Sequence, residues 1–109
     1  MLTLITTIGV GLLVSVLGII NMTGNISTLH WYHRQRVTEE NRLPFGRLVG
    51  GGTLIIGIAV IIFGALMFAF EQTESDIFSV IGTIILILGI IIGSFLSFYG
   101  MIKYNKGIF

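Results

Sequence analysis

The amino-acid sequence predicts an all-α membrane protein with three transmembrane helices in a single membrane domain, residues 1–109. Only 10% of the residues are charged, whereas soluble domains usually carry about a quarter. Three long runs contain no Asp, Glu, Lys, Arg or His, so every charged side chain lies in the segments between and after them. The runs also lack the alternation of polar and apolar residues that is typical of membrane-barrel strands.

The predicted spans cover about residues 2–20, 48–70 and 77–102, close to the roughly 20 residues that a helix needs to cross a bilayer core. Isoleucine and valine are abundant in them, and in water these residues favour strands. In lipid every backbone N–H and C=O must be paired internally, so we expect helices instead. The first run lacks the basic start and the small-residue cleavage site of a secretory signal peptide, so we expect it to be retained.

The charges outside the spans predict the orientation. The connecting segment 21–47 holds four arginines and the tail holds Lys103 and Lys106, while the turn 71–76 holds three acids and no basic residue. Lys and Arg near the ends of spans stay on the cytoplasmic side. We therefore expect a multi-pass protein of the inner (plasma) membrane, with the N-terminus out, loop 21–47 in the cytoplasm, turn 71–76 outside and the C-terminus in.

Four residues of the cytoplasmic loop recur at helical spacing, which is compatible with a short interfacial helix. The residues in this pattern are Ile26, Leu29, His33 and Val37. Trp31 and Tyr32 between them suit the headgroup level, where an apolar ring and a polar edge are both satisfied.

The end of the loop carries signals for the start and the end of a helix. Thr38 followed by Glu39 and Glu40 predicts a helix N-cap with acids in the first turn. Pro44 and Gly46 are expected to break the chain before the second span begins.

Glycines recur every seven residues in all three spans, a spacing that keeps them on one side of a left-handed helix pair. Small residues allow the close backbone contact that holds helices together in lipid. The predicted packing glycines are Gly11, Gly18, Gly50, Gly57, Gly64, Gly82, Gly89, Gly93 and Gly100. The third span has two such pairs, and we expect one of them to contact another copy of the chain.

Several kinds of chemistry find no support in the sequence. There is no cysteine, which excludes disulfides and thiolate sites, and the formal net charge of +1 argues against general nucleic-acid binding. No ionisable residue lies within the spans, and no serine has a plausible His and carboxylate partner. We therefore expect neither an enzyme nor a bound cofactor.

Two possible binding sites depend on charged residues of the loop. His30 and His33 are three residues apart, but a metal normally needs three or four ligands, so we expect no metal site. Basic residues beside a membrane attract anionic lipid headgroups. The residues expected to contact headgroups or a partner are Trp31, Tyr32, Arg34, Arg36, Arg42 and Arg47.

The stretch "RVTEENRLPFGRLVGGGTLIIG", residues 36–57, resembles part of a family of small bacterial membrane proteins with a domain of unknown function. In that family a Thr/Ser-x-Glu-Glu turn and basic residues precede a glycine-containing second helix. The matching positions here are Thr38, Glu39, Glu40, Arg42, Arg47 and Gly50. The resemblance implies a prokaryotic origin and the same topology, and it implies no activity.

We accordingly expect a small prokaryotic integral membrane protein that self-associates or binds a membrane-protein partner through its glycine seams. A holin-like pore former is one alternative, although Lys103 and Lys106 make a sparse basic tail for it. An oligomeric channel is the other, with a pore lined by hydroxyl side chains. The candidates for such a lining are Thr3, Thr6, Thr7, Ser15, Thr53 and Thr83.

Overall fold

The computed structural model describes residues 2–29 and 34–107, and three long α-helices dominate this part of the chain. They are α1 (Leu2–Met22), α2 (Arg42–Thr73) and α3 (Asp76–Tyr104), with a 3₁₀ turn at Glu39–Asn41 before α2. All three are long and apolar enough to cross a membrane, and no strand occurs among the described residues. The predicted helical fold with three candidate spans is confirmed.

The second helix begins earlier than the sequence suggested. Pro44 and Gly46 were expected to break the chain, but both lie in the first turns of α2, so that prediction was wrong. The first four backbone N–H groups of a helix have no partner inside it, so a proline at this position removes no hydrogen bond. With 32 residues, α2 is about 48 Å long, clearly more than a bilayer core of about 30 Å.

The predicted helix start at Thr38 is only partly correct. Thr38 is the N-cap residue of the 3₁₀ turn, and its backbone carbonyl accepts a hydrogen bond of 3.1 Å from the Asn41 N–H. Its side chain makes no capping hydrogen bond. The turn leads directly into α2, so the end of the predicted cytoplasmic loop is helical.

α2 and α3 form an antiparallel hairpin with a very short link. Glu74 adopts a left-handed backbone conformation, with φ of 56°, and its N–H donates to the Phe70 carbonyl at 2.7 Å. α3 begins two residues later at Asp76. Two residues, of which Glu74 is exposed, are thus enough to reverse the chain.

The helix α2 is the centre of the bundle. Both α1 and α3 run antiparallel to it and pack on it, while they contact each other little. The described residues measure 51 by 20 by 18 Å, which is the shape of a slender bundle about as long as α2. One helix must therefore present two separate packing faces.

A small apolar core closes one end of the bundle. Ile26 from the first loop lies buried against Phe45 and Val49 of α2 and Met101 of α3. Leu29, Val37 and Tyr104 pack around this cluster. Three of the four residues predicted for an interfacial helix are thus packed onto the bundle, and the fourth, His33, lies outside the described residues.

Candidate functional site

Glycines bring the backbones of α1 and α2 into direct contact. A Cβ atom added at Gly18 would lie 2.6 Å from the carbonyl oxygen of Gly50, and one added at Gly50 would collide with the Gly18 carbonyl. An added Cβ at Gly11 would lie 2.9 Å from the Gly57 carbonyl oxygen, and at Gly64 it would collide with Thr7. Five of the predicted packing glycines therefore lie in one intramolecular interface.

The remaining four predicted glycines lie between α2 and α3. An added Cβ would lie 3.3 Å from the Leu66 Cβ at Gly82, and 3.0 Å from the Leu48 Cβ at Gly100. At Gly89 it would collide with Ala59, and at Gly93 with the Gly52 carbonyl. Both glycine pairs of α3 thus face α2, and neither is left to meet another copy of the chain. Self-association itself stays a prediction.

The second face of α2 contains small residues that the sequence reasoning did not single out. Gly52 packs on Gly93, and Ala59 packs on Gly89. These two residues of α2 are seven apart and are displaced by two positions from Gly50 and Gly57. A search for the same spacing that included alanine would have found this second seam.

Two of the hydroxyl side chains proposed to line a pore lie between α1 and α2. Thr7 contacts Gly64, and its Oγ1 donates to the Thr3 carbonyl at 2.8 Å. Ser15 lies buried against Gly57, and its Oγ has no hydrogen-bond partner among the described residues. These two side chains lie in the α1–α2 interface and not on an outer surface.

The arginines of the first loop lie at the end of the bundle that contains the apolar core. We call this the arginine-rich end, formed by residues 21–29, 34–47 and 101–107. The backbone N–H of Arg36 donates to Asn105 Oδ1 at 2.8 Å, and its Nη1 donates to the Lys106 carbonyl at 3.2 Å. Arg42 and Arg47 are exposed. The other predicted contact residues, Trp31 and Tyr32, and the histidines 30 and 33 lie outside the described residues.

Two buried asparagines, which the sequence did not suggest, hold this end together. Asn105 is fully buried, and besides accepting from Arg36 it donates through Nδ2 to the Gly107 carbonyl at 3.1 Å. Asn21 is also buried, and its Oδ1 accepts from Thr28 Oγ1 at 2.9 Å. These bonds fix the tail and the first loop against the helix ends.

A pocket opens at the arginine-rich end beside the start of α2. Its volume is about 390 Å³, towards the small end of the roughly 300–1,000 Å³ that is usual for ligand sites. It is lined by Gly24, Asn25, Ile26, Ser27, Arg34 and Arg42. Ligand pockets are usually mostly apolar, whereas this one is lined mainly by polar and charged residues.

Charge is strongly separated along the bundle. The arginine-rich end holds four arginines, two lysines and two glutamates, an excess of four positive charges. The opposite end holds Glu71, Glu74 and Asp76 and no basic residue. Nothing in the helical segments between these ends is charged.

Within the described residues no group of three or more His, Cys, Asp or Glu side chains is placed to hold a metal ion. Comparison of the chain with protein-family models, with curated proteins and with solved structures gives no match. The resemblance of residues 36–57 to small bacterial membrane proteins therefore stays a prediction.

Proposed function

We propose that this chain is a small prokaryotic inner-membrane protein that crosses the bilayer three times, has no enzymatic activity and works by contact. Its N-terminus and acidic link lie outside, and its arginine-rich end lies in the cytoplasm. The arginine-rich end is the surface that contacts anionic headgroups or a protein partner. The chain associates with further copies or with a partner inside the membrane.

The separation of charge carries this proposal. One end has a net excess of four positive charges, and the other end has three acids. The helical segments between them carry no charged residue. Basic residues are retained on the cytoplasmic side during insertion, and the inner leaflet is anionic. Each Lys or Arg near such a surface contributes about 1 kcal/mol of attraction.

The outer faces of the bundle, which carry aliphatic and aromatic side chains, are the surfaces that an associated chain would contact. The seams of small residues are filled by the chain's own helices, so a neighbour would contact the exposed faces of α1 and α3. Large exposed side chains on these faces include Leu13, Val16, Ile84, Leu88, Ile91 and Phe95. Packing between such surfaces in lipid rests on dispersion forces and shape.

The absence of an active-site arrangement supports a non-enzymatic role. The pocket at the arginine-rich end contains no acid and no histidine among its described lining residues. Ser27 lines it, and its Oγ donates to Asn25 Oδ1 at 2.7 Å, an amide oxygen that is not a base. A nucleophile in such surroundings has no partner to activate it.

Mass measurement of the intact protein in mild detergent tests the assembly. We expect a complex of more than one chain, or of the chain with a defined membrane-protein partner, which persists on dilution. A single chain at every concentration would contradict the proposal. Flux through vesicles that contain the purified protein separates it from the alternatives, because a holin-like pore or a channel conducts and a contact protein does not.

A further inference from the structure

The pocket at the arginine-rich end is built by the same close packing that joins α1 to α2. A Cβ added at Gly46 would collide with the carbonyl of Asn21, so the end of α1 lies directly against the first turns of α2. Gly24 then turns the chain with φ of +98° and lies beside Leu43. This arrangement places the turn of residues 24–27 next to Arg42, at the level where the apolar part of α1 ends.

Two side chains that line the pocket, Asn25 and Arg34, have hydrogen-bond donors without a partner in the described part of the chain. The side-chain oxygen of Asn25 accepts from the Ser27 N–H at 3.1 Å and from Ser27 Oγ at 2.7 Å. Because a backbone N–H can only donate, this bond assigns the oxygen, and the Asn25 amide group is left as a donor. Arg34 uses Nε to bind the Leu29 carbonyl at 3.1 Å, and its two terminal nitrogens have no partner in the described part of the chain.

No acidic side chain of the described residues forms an ion pair with either arginine of the pocket. Glu39 and Glu40 are the nearest acids in sequence, and within residues 2–29 and 34–107 neither pairs with Arg34 or Arg42. Both glutamates are exposed. Guanidinium groups present several donors in a planar fork that matches phosphate oxygens, so two of them beside one small cavity favour that ligand.

We propose that this pocket binds a phosphate-bearing anionic group of the size of a glycerophosphate, with Arg34, Arg42 and the Asn25 amide as donors. This site rests on the contact role proposed above. It assigns the specific part of headgroup binding to two arginines, in addition to the general positive charge of that end. Two sources share this chemistry. One is the headgroup of a phospholipid such as phosphatidylglycerol, and the other is a free phosphate ester.

Titration of the purified full chain in neutral detergent micelles tests the site. Phosphatidylglycerol, phosphatidylcholine, glycerol 3-phosphate and inorganic phosphate are the probes, and bound ligand is counted by mass spectrometry of the intact protein. We expect phosphatidylglycerol to bind more tightly than phosphatidylcholine, whose choline offsets the phosphate charge. Displacement of the lipid by glycerol 3-phosphate at equal concentration would identify a soluble ester as the ligand.

Matched variants separate the pocket from general charge. Arg42→Gln removes one pocket donor and should weaken phosphatidylglycerol binding roughly fivefold. Arg47→Gln removes an exposed arginine of the same end that does not line the pocket, so it lowers only the general positive charge and should weaken binding less. Asn25→Asp keeps the oxygen that Ser27 needs and replaces the donor with a negative charge, so it should weaken binding at least as much.

Two results would overturn the proposal. One is an equal loss of binding for Arg42→Gln and Arg47→Gln, which would indicate unspecific surface charge. The other is the absence of binding for every phosphate probe. The test takes place in detergent and depends neither on the predicted orientation nor on assembly. Failure of the pocket proposal can therefore be distinguished from failure of the proposed contact role.

Discussion

Three consecutive glycines of α2 lie in three different surroundings. Gly50 packs on the backbone of α1, Gly52 packs on the backbone of α3, and Gly51 between them has nothing within 4 Å of an added Cβ. Such a triplet tests directly whether glycine is needed for contact or is merely tolerated in a membrane helix.

We expect Gly50→Ala and Gly52→Ala to destabilise the protein and Gly51→Ala to leave it unchanged or slightly more stable. Alanine in place of glycine favours a helix by at most about 1 kcal/mol. Forcing a methyl group into a packed interface costs typically about 1–3 kcal/mol, and here the neighbouring atoms are backbone, which moves least. Thermal unfolding in detergent measures the order of the three variants.

The same destabilisation for all three alanines would contradict the assignment of faces. Gly9, which also has nothing near an added Cβ, is a second control on α1. Gly9→Ala should behave like Gly51→Ala.

The buried Asn105 joins the tail to the first loop. We expect Asn105→Ala to destabilise that end by about 1–3 kcal/mol, because a fully buried side chain loses its bonds to the Arg36 N–H and to the Gly107 carbonyl. Amide exchange at Arg36 should become faster. Asn41→Ala is the control, since Asn41 is half-buried and its side chain makes no capping hydrogen bond. Equal effects of the two substitutions would show that the Asn105 bond has no special role.

Residues such as Asn105 show where sequence reasoning stops. The glycines could be recognised because their spacing repeats within each helix. Asn105 bonds to a backbone group 69 positions away, so its role exists only once the helices have brought the tail to the loop. From the sequence alone it is one more polar residue after a span.

At the scale of elements, α2 is a helix with two faces, one for each neighbour. Gly50, Gly57 and Gly64 contact α1, while Gly52 and Ala59 contact α3. Because α1 and α3 contact each other little, damage to one face should leave the other helix packed.

Cysteine reporters test this independence, since the chain has no cysteine of its own. Ser15→Cys reports on α1, and Ser97→Cys reports on α3. We expect Gly50→Leu to speed thiol labelling at position 15 only and Gly89→Leu to speed it at position 97 only, because each leucine wedges one helix pair apart. Faster labelling at both positions with either leucine would show that the three helices separate as one unit.

The helix boundaries illustrate a second limit of the sequence. The apolar runs located the three helices because lipid requires each segment to pair its own backbone. They did not locate the start of α2, since the segment before Leu48 is polar and contains Pro44. There the helix is extended by burial of Phe45 in the end core, which only the folded chain reveals.

At the scale of the whole molecule, charge and length decide how the bundle sits in a bilayer. α2 is about 18 Å longer than a bilayer core, so part of it extends into the headgroup region or the helix tilts. The early start of α2, six residues before the apolar run, places about 9 Å of this excess at the arginine-rich end. The pocket and the end core therefore lie at headgroup depth in the proposed orientation.

The salt dependence of headgroup binding follows from the same arrangement. We expect phosphatidylglycerol binding to weaken as ionic strength rises from about 0.01 M to 1 M, because the screening length falls from about 30 Å to about 3 Å. The unspecific part of the attraction should disappear first, so the difference between Arg42→Gln and Arg47→Gln should persist at about 0.15 M salt. Affinity that does not change with salt would contradict an electrostatic contact.

Three crossings with the arginines inside are tested best by the sidedness of two single cysteines. These are Gln35→Cys in the first loop and Gln72→Cys beside the short link, and both native side chains are exposed. In intact cells, a thiol reagent that cannot cross the inner membrane should label position 72 and spare position 35, and in inverted vesicles the pattern should reverse. Labelling of both positions from the same side would contradict three crossings with the arginines on the inner surface.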